Sequence, residues 1–169
     1  YKRQVNVGEG GATFDVPQGA TLTFAAPVKS DVKAPIYKRG TGTLRISEGN
    51  SFGKTYLEQG TITSLTADNA SQKYFPDTLI FNGSGVTLDH DNTTYSTSTN
   101  IHDYTNFSVP YGKSGNIYLD GRCTYHGALT GEGTFNIYPR FVRSYLAGDW
   151  SKFEGTLQMH NNGSDQYGT

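Results

Sequence analysis

The chain has 169 residues, 34% of them hydrophobic and only 17% charged, with a net charge of −1 at neutral pH. That length suffices for one domain with a core of its own, and the balanced charge argues against nucleic acid or an anionic membrane as the main partner. Glycine is abundant at 21 residues, well above an average share of about 7%, and with the many Thr, Ser, Asn and Tyr it points to an all-β chain rich in turns.

No apolar run approaches the ~18 residues of a membrane span, so no direct membrane insertion is expected, and no signal peptide is visible. Tyr1-Lys2-Arg3-Gln4-Val5 already reads as mid-domain strand, and the chain stops without a terminator after Gly168-Thr169. We therefore expect a single β-helical domain over residues 1–169 that is a piece of a larger chain, with further protein flanking it. The one cysteine, Cys123, excludes an internal disulfide and any cysteine-cluster metal site. It reads as a small core residue rather than a nucleophile.

In chain order, nothing keeps apolar residues at i, i+3, i+4 and i+7 over three turns, so no helix is predicted. Short alternating runs predict strands at residues 13–16, 21–24, 43–47, 55–58, 61–65 and 78–81, the last running into the turn dipeptide Asn82-Gly83. Further runs lie at 86–88, 106–109, 116–119, 135–138 and 156–159. Apolar residues occupy alternate positions in each, so one face turns inward and the other meets water. Leu22 and Phe24, Leu44 and Ile46, Phe135 and Ile137, and Leu157 and Met159 are the inward pairs. The polar stretch from His90 to Asp103 departs from this pattern and reads as a strand with wide turns or a loop leaving the body.

The inward pairs recur at a nearly constant distance, from Leu22 to Leu44, from Leu44 to Ile62 and again from Phe135 to Leu157. Hairpin sandwiches turn at about half that distance. A self-similar unit of roughly 20 residues instead predicts a solenoid. The expected form is a single-stranded right-handed parallel β-helix of about eight coils, roughly 40 Å long at ~4.8 Å per coil. A β-sandwich is the alternative.

The clearest unit runs from Lys38 through Gly40, Gly42-Thr43-Leu44, Ile46-Ser47, Gly49-Asn50, Phe52-Gly53, Thr55 and Leu57 to Gly60-Thr61-Ile62. From Lys38 to Ile62 this unit resembles the autotransporter-associated β-strand repeat nearly position by position. A looser copy lies at residues 129–159, interrupted by an extra piece at 139–147, and eroded copies begin at Ala12-Thr13-Phe14 and Ala20-Thr21-Leu22. The resemblance implies an exported bacterial surface protein, extracellular or at the cell surface, whose repeats form a parallel β-helical passenger or stalk. It implies no catalytic residue and no cofactor.

Three polar constellations invite chemistry. Asp89-His90-Asp91 places two carboxylates on one side of a strand, tolerable for a hard cation but short of the six to eight oxygens that Ca²⁺ takes, so it reads as a solvated turn. His102 and Asp103 are adjacent and so face opposite sides of a strand, which separates them as an acid/base pair. The segment 138–145 with Trp150 breaks the repeat and reads as a loop on a rigid scaffold, where binding residues concentrate. Arg140 and Arg143 with Tyr145 and Trp150 are the candidate ligand-binding residues: guanidinium forks a sugar carboxylate while rings stack on a pyranose face. We expect no catalytic residues and no metal site. The expected function is a non-catalytic β-helical stalk or adhesive scaffold, with a glycan or a host or surface protein as partner. The alternative is a carbohydrate-active β-helix, a polysaccharide lyase or hydrolase that uses Arg140 and Arg143 as its substrate clamp, or a glycan-binding module without turnover.

Overall fold

The computed structural model describes residues 5–65, 71–72, 74–91, 100–119, 122–139 and 144–160. Among these residues the regular structure is all strand. Two strands make each of the first coils: β1 (Ala12–Asp15) and β2 (Thr21–Phe24), then β3 (Ile36–Arg39) and β4 (Thr43–Ile46). From the next coil onward a third strand is added: β5 (Thr55–Leu57), β6 (Thr61–Leu65) and β7 (Ser71–Gln72), then β8 (Thr78–Phe81), β9 (Val86–Asp91) and β10 (Asn100–Asp103). The pattern continues with β11 (Asn106–Val109), β12 (Ser114–Leu119) and β13 (Arg122–Tyr125), then β14 (Leu129–Gly131), β15 (Thr134–Pro139) and β16 (Ser144–Leu146). It closes with β17 (Lys152–Phe153) and β18 (Thr156–Met159).

Each strand pairs with its equivalents in the coils before and after. The first wall is β1-β3-β5-β8-β11-β14-β17, the second β2-β4-β6-β9-β12-β15-β18, and the third β7-β10-β13-β16. Every ladder between these strands is parallel. The fold is therefore a β-solenoid, and the sandwich alternative is excluded, because a sandwich built from hairpins pairs its strands antiparallel. The coils number about six rather than eight. The expectation gave every coil the length of the clear units, whereas the steps from Ile62 to Leu88 and from Leu88 to Ile117, where the third wall begins, are longer.

Register makes this concrete. Leu22, Leu44, Ile62, Leu88, Ile117, Ile137 and Met159 are successive partners in one file along the second wall. The steps along it are uneven: Leu44 to Ile62 is the shortest and Leu88 to Ile117 the longest. The five interior members are at most 2% exposed, and the two end members, Leu22 and Met159, are 37% and 60% exposed. Inward alternation thus becomes a continuous apolar column, and only its ends meet solvent.

The repeat unit explains the narrow coils. Lys38 points inward, fully buried, and its ammonium donates to the carbonyls of Arg39 at 2.7 Å, Gly40 at 2.6 Å and Gln59 at 3.2 Å. It satisfies carbonyls that the bend would otherwise leave without a donor. Gly40 adopts φ +70° there, and an added methyl would overlap the Val16 carbonyl, so the motif demands glycine. Asn50 fastens three coils: its Oδ1 accepts from the Val28 N–H at 2.8 Å, and its Nδ2 donates to Ser47 O at 2.7 Å and Tyr74 O at 2.9 Å.

Where the third wall opens the section, aromatics fill it. The Phe81, Phe107 and Phe135 rings sit 5.4–5.9 Å apart, centroid to centroid. Gly115 lies in register between Val86 and Phe135, and any side chain there would run into the Phe81 ring.

Candidate functional site: a histidine cluster at the third wall

The two polar clusters flagged in the sequence, at 89–91 and 102–104, are sorted by strand alternation into an interior set and an exterior set. Along β9, Val86, Leu88 and His90 all turn inward, 3%, 0% and 1% exposed, so His90 is a core position and not part of a solvated turn. It stands in register with Ser64 of β6 on one side and Leu119 of β12 on the other. Ser64 Oγ lies 2.7 Å from His90 Nδ1. At the end of β10, Asp103 also turns inward, fully buried. Its Oδ2 is 3.1 Å from His90 Nε2, and its Oδ1 accepts the Thr105 N–H at 2.7 Å. The His90–Asp103 contact is close but does not have the geometry of a directed hydrogen bond.

The rings of Tyr74 and Tyr125 flank His90 at 5.7 and 5.6 Å. Cys123 lies beside Tyr125, and burial, reinforced by the Asp103 charge, pushes its thiol far above the ordinary range. Burial likewise pushes the Tyr125 hydroxyl well up, with Cys123 and Asp103 adding to it. Both groups therefore stay protonated, and Cys123 is inert, as a buried structural thiol should be.

Ser, His and Asp are the residue types of nucleophilic hydrolysis. Here all three are sealed inside the rod at 1% exposure or less, with no face of Ser64 open to a substrate carbonyl. What the arrangement does is mechanical: the Ser64–His90 hydrogen bond joins β6 to β9 across coils, and the His90–Asp103 contact sets the second wall against the third.

On the outer face of the same strand, His102 Nδ1 lies 2.9 Å from His126 Nε2, with ring centroids 5.2 Å apart. Tyr104 stacks on His126 at 4.5 Å and 11°. The second wall carries a matching outward ladder, Tyr118 on Tyr138 at 4.5 Å and Tyr138 on His160 at 4.3 Å. Beside it Asn136 donates to Asn116 Oδ1 and meets His160 Nε2, both at 3.0 Å. The first wall has Tyr37 on Tyr56 at 5.0 Å. In each ladder the paired rings cover one another's facing sides.

The residues expected to bind ligand do not form one surface. Arg140 and Arg143 lie outside the described residues. Tyr145 is on β16, 56% exposed and in register with Thr124. Trp150 turns the other way, packing against the core. Its indole N–H donates to Gly127 O at 3.2 Å, and its ring meets Phe135 edge-on at 6.2 Å. The piece at 139–147 is also less a loop than expected, since Ser144–Leu146 is the outermost strand of the third wall. Of Asp89-His90-Asp91, the middle residue turns inward. Among the described residues no three His, Cys, Asp or Glu side chains converge as a metal site requires. Sequence reasoning missed Ser64 as the partner of His90. The available signal was arithmetic: Ser64 to His90 is the same step along the chain as Ile62 to Leu88. No protein-family description, curated protein or solved structure matches this chain.

Proposed function

We propose that the chain is a non-catalytic segment of an exported bacterial surface protein, in which a right-handed β-helix serves as a stalk or adhesive scaffold. The observation that carries this reading is where the polar and aromatic side chains are spent. Inside, Ser64, His90 and Asp103 bind one another, and outside the rings and amides bind the next coil. A rod whose groups are committed to its own coils lengthens by a unit that touches only its neighbours, which suits a spacer. The resemblance of residues 38–62 to the autotransporter-associated repeat supports the surface location, and the right-handed sense follows the strong preference of parallel crossovers. Flanking segments of a parent chain, and a surface glycan or host protein, are the partners this role implies.

A second reading, a glycan-binding module at the edge of the third wall, is favoured by one observation: Tyr145 is 56% exposed and lies two residues beyond Arg143. A polysaccharide turnover panel and a glycan array separate the readings. The scaffold reading expects no turnover, and turnover abolished by Ser64→Ala would overturn it. Saturable glycan binding lost on Tyr145→Ala and Arg143→Ala would establish the second reading.

A further inference from the structure

We infer that the His102–His126 pair makes the third wall a proton-operated latch, which acid releases while the two-walled coils stay closed. The two imidazole nitrogens face each other at 2.9 Å, so one N–H fits between them, donated by whichever ring carries it. If both rings are protonated, two N–H groups and two positive charges meet at that distance, the hydrogen bond is lost and the rings are driven apart.

Nothing described nearby compensates the second charge. On β10 the neighbouring carboxylate, Asp103, faces inward onto His90. The β7 residue in register with His102 is Ser71, which carries no charge. From β13, Tyr125 faces inward, 2% exposed, and Thr124 is also uncharged. Tyr104 presents a ring face to His126, and the β16 residue in register with Thr124 is Tyr145. Among the described residues no carboxylate is within ion-pair distance of either ring.

The backbone beside the rings is tied to the interior set. The His126 backbone N–H donates to Asp103 O at 2.8 Å, and Gly127 is packed so closely on Thr105 that a methyl would overlap its carbonyl. His102 and Asp103 are consecutive. A shift of the His102 backbone draws the Asp103 carboxylate off His90 inside, and by that route protonation at the surface reaches the interior cluster. Gly127 O accepts the indole of Trp150, the only tryptophan in the chain, so the same corner carries a reporter.

The test follows Trp150 emission and amide hydrogen exchange from about pH 7.5 to about pH 4.5, the interval in which imidazoles change charge. Acid is expected to shift the emission and to speed exchange in β10 and β13 about tenfold or more, leaving β2 and β4 unchanged. His102→Gln and His126→Gln should each abolish the transition, and His160→Gln should leave it. Should one variant lose its β-sheet spectrum at neutral pH, the other and His102→Asn decide. Absence of a transition in the unaltered protein, or the same transition in the His102 and His126 variants, would overturn the latch.

Discussion

The coils from β2 to β6 and those from β6 to β12 solve one problem, closing a parallel coil, in two ways. The former are narrow. Leu44 to Ile62 is the shortest step in the file of inward partners, and the closure rests on backbone devices: a buried lysine donating to three carbonyls, a left-handed Gly40 and an asparagine tying three coils. The latter are wide. Ile62 to Leu88 and Leu88 to Ile117 are the longest steps, and the third wall begins within them. A larger section has more interior to fill, and it is filled by Phe81, Phe107 and Phe135 and by the Ser64–His90–Asp103 set. The comparison teaches that strict motif spacing goes with closure by backbone hydrogen bonds, which tolerate no variation. Closure by side-chain volume leaves the motif free to drift.

Substitutions can break each solution separately. The largest effect is expected in the wide coils: Phe107→Ala removes a ring that touches Phe81, Phe135 and Tyr125, at a cost of about 3–5 kcal/mol. Equilibrium urea unfolding measures it, and a loss below about 1 kcal/mol would mean that the aromatic cluster does not close the wide section.

In the narrow coils, Lys38→Met should cost about 2–3 kcal/mol by stranding buried carbonyls. It should also change the pH dependence. Burial holds the Lys38 ammonium below the ordinary lysine value of 10.5, while the Asp15 charge pulls the other way. The unfolded chain therefore binds more protons in that alkaline interval, and the unaltered protein gains stability relative to the variant as pH rises through it. A difference that is flat or narrows with pH would contradict the buried cage.

Cys123 sharpens the comparison kinetically. Its buried, protonated thiol should react with an alkylating reagent only as fast as the wide coils open, so adding denaturant should speed labelling in step with unfolding, as read by mass spectrometry. Rapid labelling of the native protein would show that this interior is open. The smallest effect belongs to the exposed Arg39–Glu58 pair, 2.6 Å apart but with the Arg39 side chain 52% exposed. Glu58→Gln should leave Tm unchanged within error, and a clear drop would mean that surface pairing contributes to closing the narrow coils.

The inward pairs of the clear units were legible because a period-2 strand that recurs at a similar distance leaves a mark on the sequence. The coil count was not, because residues 68–125 hold coils without a recurring unit. There the register is set by which side chains fill the section, as with Gly115 yielding to Phe81. The opposite facing of His102 and Asp103 was also legible, since neighbours on a strand alternate. That Asp103 would meet His90, and His102 meet His126, was not, because partners one coil apart carry no local signature.

The sequence by itself determined that the regular structure is strand, which apolar pairs turn inward, and that similar units stack, since alternation and the glycine bends are local properties. Only the tertiary structure decided where a third wall begins, that Ser64, His90 and Asp103 share one interior, and that Trp150 faces the core while Tyr145 faces water. Those outcomes depend on the length of each coil, which brings residues a whole coil apart in the chain into register.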